Sequence, residues 1–293
     1  MFLVNTCKRA PDRQLSSMAK GKPRITRVLL TGALIVTGLY VVCCIGLTLG
    51  QRKLMYHPCG RSTNELHSAA DKAGFRAWVK TSGEQIGWVR TTRQATRRIL
   101  LLHGNAGCVP DWFQHADAFQ AIAPVDFYIL EYPGYGGRKG KPNQTAILEA
   151  AKEGFESIPG DCPVFLVGES LGTGVAAFIA SGHPKKTAGL FLVAPYNSMS
   201  AVARSHLPLF PVKWMLKDTY PLTTWLASYT GPLAVLLGGK DTTVPRELGQ
   251  DLYDRYLGPK TLFIEANSSH EDLHKPNSAM IRQVLRFWDG EGR

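Results

Sequence analysis

A chain of 293 residues with 44% hydrophobic residues is long enough to bury one large core, which excludes a disordered or fibrous protein. Its net charge of +11 is concentrated at the N-terminus, where residues 1–27 carry seven basic side chains and one acidic side chain. The other basic residues form short runs without interleaved aromatic residues, so we expect no nucleic-acid partner. The charge instead indicates membrane topology.

The six cysteines show no C-x-x-C spacing, so the sequence predicts neither a zinc site nor a thioredoxin-like redox pair. Only Cys59, Cys108 and Cys162 follow the hydrophobic N-terminal segment. An odd number permits at most one internal disulfide in that part of the chain. We therefore expect a fold that does not depend on a disulfide framework.

The N-terminal segment from residue 28 to residue 49 contains 22 residues without a charge. At about 1.5 Å per helical residue it covers about 33 Å, enough to cross a hydrocarbon layer about 30 Å thick. We predict a transmembrane anchor over residues 28–50, preceded by a basic tail over residues 1–27. The alternative is a cleaved signal peptide, whose apolar core is usually only about 7–15 residues long.

The orientation of the anchor follows from the basic residues on its two sides. The seven before the span outnumber Arg52, Lys53 and Arg61 after it. By the positive-inside rule we expect the N-terminus in the cytoplasm and the domain formed by residues 51–293 on the far side of the membrane. Met18, followed by a short basic stretch and the span, is itself a normal start for such a protein, so translation from Met18 stays an alternative.

From about residue 75 onward, apolar segments of strand length alternate with amphipathic segments of helix length, which is typical of a mostly parallel α/β sheet. No helix separates the first two strands, so we expect an antiparallel pair at that point. The predicted strands are residues 75–80, 86–91, 98–103, 127–132, 164–168, 189–194, 233–237 and 261–265. The predicted helices cover about 111–123, 143–158, 171–182, 245–257 and 276–288.

One segment, residues 195–232, does not fit this alternation because it holds many apolar and aromatic side chains interrupted by five prolines. Such an insertion is either a lid over an apolar pocket or a connector with its own small core. We favour the lid. Without an internal repeat or a low-complexity linker, residues 51–293 are expected to form one domain.

The residues at 168–172 form the pattern G-x-S-x-G around Ser170, between a predicted apolar strand and a predicted helix rich in small residues. In a nucleophile elbow this pattern makes a tight turn that lifts the serine Oγ above the sheet. The pattern alone arises by chance in some chains, but its position between strand and helix favours this interpretation. We predict that Ser170 is a nucleophile and that the side chain of Glu169 points away from its Oγ.

A serine nucleophile needs a base and an acid, which in this arrangement follow later strands in the order Ser, acid, His. The strand at 233–237 runs into Asp241, and the strand at 261–265 runs into His270. We predict that His270 is the base and that Asp241 orients it. His274, at the predicted start of the last helix, is the alternative base. The other histidines outside these strand ends are interpreted as surface or structural residues: His57, His67, His115, His183 and His206.

Acyl transfer also needs donors for the negative charge on the tetrahedral oxygen. One expected donor is the backbone N–H of Leu171, the residue after the nucleophile. The other is the backbone N–H of Asn105, in the loop that follows the strand at 98–103. His103 is expected to brace this loop.

With these residues in place, the chain resembles the α/β-hydrolase superfamily over residues 52–288, and more closely the α/β-hydrolase-domain proteins that carry a single N-terminal span. Ser269 stands where the usual family motif has Gly before the histidine. The resemblance implies an acyl ester or thioester near a membrane as substrate, as in lysophospholipid-cleaving and protein-depalmitoylating relatives. The motifs that carry it are Leu-Met-Tyr-His-Pro at 54–58, His-Gly-Asn-Ala-Gly at 103–107, Glu-Tyr-Pro-Gly-Tyr-Gly at 131–136, Gly-Glu-Ser-Leu-Gly at 168–172, Gly-Lys-Asp at 239–241 with Val-Pro at 244–245, and Ser-His-Glu-Asp at 269–272.

The sequence thus predicts an α/β-hydrolase fold: a mostly parallel eight-stranded sheet flanked by helices, with a short lid insertion. The predicted activity is that of a serine esterase, thioesterase or lipase-like hydrolase that acts without a cofactor or metal ion. The expected partners are a small or lipid-like acyl substrate and a membrane. Two alternatives stay open, a peptidase-type hydrolase and a catalytically silent, membrane-tethered binding protein.

Overall fold

The computed structural model describes residues 22–160, 162–275 and 277–291. Most of the basic tail predicted over residues 1–27 lies outside the described residues. The chain divides into two compact units, one up to Leu47 and one from Thr48 onward.

Helix α1 (Lys22–Met55) contains the predicted anchor and extends beyond it at both ends. It continues past Gly50 because Gln, Arg, Lys, Leu and Met, which follow at 51–55, all favour helix. Its most apolar stretch is not buried against any described part of the chain, and the helix is long and apolar enough to cross a membrane. Exposed apolar side chains along a whole helix call for an apolar environment, so membrane insertion stays the prediction for this segment.

The predicted eight-stranded, mostly parallel sheet is confirmed. The strands lie side by side in the order β8-β7-β6-β5-β3-β4-β2-β1, and β2 runs antiparallel to both of its neighbours while the other adjacent pairs are parallel. The expected antiparallel pair is therefore β1 with β2. The strands are β1 (Arg76–Val79), β2 (Gln85–Arg90), β3 (Arg97–Leu102), β4 (Val125–Leu130), β5 (Val164–Glu169), β6 (Thr187–Val193), β7 (Leu233–Gly238) and β8 (Lys260–Glu265).

Helices cover both faces of the sheet. The helices that do so are α2 (Thr63–Lys72), α3 (Phe113–Gln120), α4 (Gln144–Ser157), α5 (Leu171–Gly182), α9 (Arg246–Arg255) and α11 (Ser278–Trp288). The inner strands β5 and β7, each with a neighbour on both sides, are buried at every position, as expected for strands with helices on both faces of the sheet. Side chains on one face pack with α2, α3 and α11, and those on the other face pack with α4, α5 and α9.

Helix α2 is absent from the sequence prediction although its start carries a recognisable signal. The Ser62 side chain accepts a hydrogen bond from the Glu65 backbone N–H, and the Glu65 carboxylate accepts one from the Ser62 N–H. This reciprocal pair is a capping box. The helix has only ten residues and buries only Leu66 and Ala70, so its apolar periodicity is weak.

The insertion between β6 and β7 contains three short helices, α6 (Met199–His206), α7 (Val212–Met215) and α8 (Leu222–Leu226). Tyr196 and Tyr220 from this segment are fully buried in the core cluster on the α5 side of the sheet. Most of the buried apolar side chains of the insertion, the exception being Val212, thus join the main core. The alternative of a connector with a small core of its own does not fit the described residues.

The segment that follows α1 is joined to the loop after β3. Cys59 and Cys108 form a disulfide, in agreement with the limit of one set by the cysteine count. Beside it, His57 and Pro58 pair in parallel with Ala106 and Gly107.

Candidate active site

Ser170 lies at the junction of strand β5 and helix α5, in a backbone conformation that non-glycine residues rarely adopt. Its φ is +48° and its ψ is −115°. The Ser170 N–H donates to the Val193 carbonyl of β6, and the Thr173 N–H and hydroxyl both donate to the Ser170 carbonyl. These hydrogen bonds stabilise the positive-φ backbone of Ser170, which by itself costs about 1–2 kcal/mol relative to an ordinary conformation.

The two glycines of the G-x-S-x-G pattern are required by close contacts in the turn. A Cβ on Gly172 would lie 1.8 Å from the Leu102 carbonyl oxygen, and a Cβ on Gly168 would lie 2.7 Å from the Gly172 carbonyl oxygen. Only glycine allows strand β3, strand β5 and helix α5 to approach this closely. The sharp turn that presents Ser170 follows from that approach.

The structure brings the predicted nucleophile, base and acid together. His270 Nε2 lies 3.2 Å from Ser170 Oγ, and His270 Nδ1 lies 2.7 Å from Asp241 Oδ2. An ionised carboxylate only accepts hydrogen bonds, so Nδ1–H donates to Asp241 and the free lone pair of Nε2 faces the serine hydroxyl. All three side chains are buried. This is the arrangement that a serine needs for deprotonation.

Asp241 is fixed by its own loop after β7. Its Oδ1 atom accepts hydrogen bonds from the backbone N–H groups of Thr243 and Val244, at 2.9 and 2.8 Å. The second carboxylate oxygen is therefore left to His270. His270 itself is the first residue of the short helix α10 (His270–Leu273), whereas the sequence placed it in a loop.

The loop after β3 lies against the Ser170 turn. A Cβ on Gly104 would lie 3.8 Å from Ser170 Cβ, and Asn105 lines the same cavity as Ser170. The Asn105 carbonyl accepts from the His57 N–H and the Tyr135 hydroxyl, which holds the loop in place. On the other side, Leu171 is the first residue of α5, and the first N–H groups of a helix have no partner within it.

His103 is buried beneath this loop, in the bracing position expected from the sequence. Its ring lies 4.0 Å from that of Tyr132 and 4.9 Å from that of Trp112, measured between centroids. Burial lowers the pKa of His103 to about 4. The ring is therefore neutral near pH 7, and Nδ1–H donates to the Gly104 carbonyl at 2.8 Å.

Glu169 forms a second cluster, which the sequence did not reveal. Its carboxylate is fully buried and points away from Ser170 Oγ into contacts with three side chains. Oε1 lies 2.6 Å from His115 Nε2, while Oε2 accepts hydrogen bonds from His274 Nδ1–H at 3.1 Å and from Trp112 Nε1–H. Burial by itself would raise the pKa of Glu169, but the two histidines lower it well below its usual range. Glu169 is thus a buried anion.

His274 does not contact Asp241 in place of His270. It follows α10 and precedes α11, and its Nδ1 is occupied by Glu169. Desolvation lowers its pKa, but the hydrogen bond and charge of Glu169 outweigh that effect, so the pKa is raised overall. His115, for which the sequence predicts a surface or structural role, is buried against Glu169.

A cavity of about 340 Å³ opens beside Ser170. Its walls come from the loop after β3, the start of α3, helix α10 and the residues just after it. None of the residues that line it comes from the insertion at 195–232. Within the described residues, no group of three or more His, Cys, Asp and Glu side chains is arranged to hold a metal ion. The lining residues are Gly104, Asn105, Ala106, Gly107, Asp111, Trp112, Gln114, Ser170, His270, Glu271, His274 and Lys275.

Comparison with known proteins extends this description. A family model described as alpha/beta hydrolase fold matches residues 97–224. An uncharacterized protein of Mycobacterium tuberculosis is 31% identical over 249 residues, which cover 80% of this chain and 86% of that protein. The lysophosphatidylserine lipase ABHD12 of Xenopus tropicalis is 26% identical over 245 residues, covering 73% of this chain. The matched region spans 63% of that relative.

Solved structures agree with this chain in fold at low sequence identity. The esterase Pf2001 of Pyrococcus furiosus superposes with a TM-score of 0.60 at 16% identity, covering 80% of this chain and 98% of that one. A thioesterase domain from the curacin biosynthetic pathway gives a TM-score of 0.56 at 15% identity, covering 72% and 99%. The α/β-hydrolase fold predicted from the sequence is confirmed, and the chain belongs to the α/β-hydrolase family.

Proposed function

We propose that this protein is a serine hydrolase that cleaves carboxylic esters or thioesters without a cofactor. The observation that carries the proposal is the continuous contact from Asp241 through His270 to Ser170 Oγ, three residues that follow the carboxyl ends of β7, β8 and β5. Such contact gives a serine its base and gives the base its orientation.

The proposed reaction proceeds in two halves. Ser170 Oγ attacks the acyl carbon while His270 Nε2 takes the hydroxyl proton, and Asp241 stabilises the imidazolium that forms. The backbone N–H groups of Leu171 and Asn105 donate to the tetrahedral oxygen. The leaving group departs with the proton from His270, and water then releases the acyl group by the same steps in reverse.

The proposed substrate class is an acyl or lipid-like molecule near a membrane. Two observations support it: helix α1 is long and apolar enough to span a bilayer, and the relatives at 26% identity include lysophosphatidylserine lipases. The cavity beside Ser170 is open and has the size of a small ligand site.

We further propose that residues 28–50 anchor the protein, with the N-terminus in the cytoplasm and residues 51–293 beyond the membrane. The Cys59–Cys108 disulfide supports this orientation, since disulfides persist in oxidising compartments outside the cytosol. Peptide mapping of the native protein after alkylation without reductant should recover Cys59 linked to Cys108 and Cys162 alkylated. Recovery of Cys59 and Cys108 both alkylated would contradict the orientation.

The function is tested by hydrolysis of acyl esters, acyl thioesters and lysophospholipids of graded chain length by the full-length protein in detergent. We expect turnover that disappears in Ser170→Ala and falls about 10³–10⁴-fold in Asp241→Asn, because the amide holds the wrong His270 tautomer. Asp254→Asn is the control, since this exposed side chain accepts a hydrogen bond from Gln250, on the same helix α9. Cleavage of peptides but not esters would favour the peptidase alternative. Absence of all turnover in folded protein would favour the silent binding protein.

A further inference from the structure

The insertion between β6 and β7 has exposed apolar side chains in residues 207–217, a segment that we call the tip. Trp214 is 86% exposed and Leu209 is 83% exposed. Among the described large hydrophobic side chains from Thr48 onward, only Leu257 is also more than 80% exposed. The two residues lie five positions apart in one segment, and tryptophan is enriched where an apolar phase meets water because its ring is apolar and its N–H is polar.

The backbone of this tip is held in a defined shape. The Trp214 N–H donates to the Pro211 carbonyl, and the Leu216 N–H donates to the Val212 carbonyl. Val212, the first residue of the short helix α7, is buried, while Trp214 on the same helix is exposed. The outward position of Trp214 is therefore a property of the fold.

The tip is joined directly to the end of the anchor helix. Gln51 Nε2 donates to the Met215 carbonyl at 3.0 Å, and the Lys217 N–H donates to Gln51 Oε1 at 2.7 Å. Arg52 pairs with the buried Asp218 through two hydrogen bonds of 3.1 Å. If residues 28–49 cross the bilayer, Gln51 lies at its surface, and the backbone beside Trp214 lies there with it.

The charge of the tip fits the surface of an anionic bilayer. From Met199 through Lys217 the chain has no acidic residue, while Arg204, Lys213 and Lys217 are basic and exposed. Asp218, the next residue, is buried and paired with Arg52, so it leaves the positive charge of these three side chains uncancelled. Tryptophan is enriched at the interface of lipid and water, and basic side chains are attracted to anionic headgroups.

We propose that the tip of the insertion, formed by residues 207–217, is a second membrane contact that enters the headgroup region of the bilayer through Leu209 and Trp214. The proposal rests on the proposed anchor. It assigns the insertion a role in binding the membrane, distinct from covering the cavity beside Ser170.

The test places a fluorophore at single cysteines of the full-length protein. Cys7, Cys43, Cys44 and Cys162 are replaced by Ala, and the disulfide cysteines are kept. Leu209→Cys and Trp214→Cys are labelled with an environment-sensitive dye and reconstituted in vesicles of phosphatidylcholine and phosphatidylglycerol. Leu257→Cys is the matched control, because this leucine is 96% exposed but lies outside the insertion, between α9 and β8. Circular dichroism and thermal unfolding check that each variant is folded.

We expect the dye at 209 and 214 to shift to shorter wavelength and to lose emission when the vesicles contain nitroxide-labelled lipid, while the dye at 257 does neither. Equal behaviour at all three positions would overturn the proposal. A shift that grows with protein density but is not quenched by the nitroxide lipid would also overturn it, in favour of contact between two copies.

A dye at Val36→Cys separates the two proposals. Quenching at 36 without quenching at 209 and 214 would leave the anchor standing and overturn the tip contact. Quenching at 209 and 214 without quenching at 36 would uphold the tip and overturn the anchor. The dye readouts do not depend on hydrolysis, so they stand apart from the activity of Ser170.

Discussion

At the scale of single residues, two adjacent side chains face opposite environments. Ser170 lines a cavity. The side chain of Glu169 is fully buried, in contact with His115, His274 and Trp112. Glu169 is the last residue of β5, whereas Ser170 already has the backbone conformation of the turn, so the two side chains leave the chain in different directions. The candidate nucleophile Ser170 and the buried anion Glu169 are thus neighbours in sequence whose side chains point in different directions.

Glu169 anchors the start of α3 and the end of α10 to the central strand. Breaking a buried charge pair by removal of one partner costs about 3–5 kcal/mol, because the remaining charge loses its compensation. We expect Glu169→Gln to lower the free energy of unfolding by that amount near pH 6, measured by denaturant titration. Glu149→Gln, at an exposed position of α4, is the matched control and should change little.

The pH dependence of this effect has a defined sign. The pKa of Glu169 is lowered by folding, so its contribution is present above its unfolded pKa of about 4.3 and is lost as the pH falls below that value. The pKa of His274 is raised, so its contribution is present below about 6.5 and is lost as the pH rises through its folded pKa. The stability difference between wild type and Glu169→Gln should therefore be largest between about pH 4.5 and 6.5. A difference that is flat from pH 4 to pH 8 would contradict this account.

At the scale of elements, the unit β5–Ser170–α5 depends on the approach of three backbones. Gly172 packs against the carbonyl of Leu102 at the end of β3, whereas nothing lies within 4 Å of a Cβ placed on Gly182 at the other end of α5. A methyl group added at Gly172 would therefore clash with the backbone of β3, whereas one added at Gly182 would have free space.

We expect Gly172→Ala to destabilise the protein by about 3 kcal/mol or more, since the backbone of β3 must move to admit a methyl group. Gly182→Ala should change stability by less than about 1 kcal/mol, because alanine favours helix and has room there. Thermal unfolding of the two variants makes the comparison. Equal melting temperatures would show that the close approach at Gly172 is not required.

The strands were predictable because each one is an apolar run of strand length bounded by turn-forming residues. The pairing of His57–Pro58 with Ala106–Gly107 was not predictable, because a strand of two residues shows no apolar periodicity. Helix α2 was missed for a similar reason. In the insertion, prolines interrupt each apolar segment, so the three short helices could not be told from loop.

The three catalytic candidates were predictable because each follows a strand that sequence patterning can locate. The cluster around Glu169 was not, since its partners His115 and His274 lie 54 and 105 residues away in sequence and belong to other elements. Only the tertiary fold brings them to one carboxylate. A buried acid inside G-x-S-x-G was the one available signal, as an ionisable residue at the end of an apolar strand needs partners.

At the scale of the whole molecule, the proposed membrane anchor accounts for the positions of the basic and exposed apolar residues. Basic residues precede the uncharged part of α1, and Arg52 and Lys53 follow it. The exposed tip of the insertion, at Leu209 and Trp214, is hydrogen bonded to the end of the same helix. The proposed substrate, an acyl chain near a lipid surface, agrees with this arrangement.

The central claim is that Ser170 is the nucleophile, activated by His270. Covalent labelling of the full-length protein with a fluorophosphonate probe, followed by mass mapping of the modified peptide, tests it most directly. We predict one adduct on Ser170, absent in Ser170→Ala and strongly reduced in His270→Ala, while Ser181→Ala on the same helix α5 labels like the wild type. An adduct that persists on another residue in Ser170→Ala, or the absence of labelling in folded wild-type protein, would contradict it.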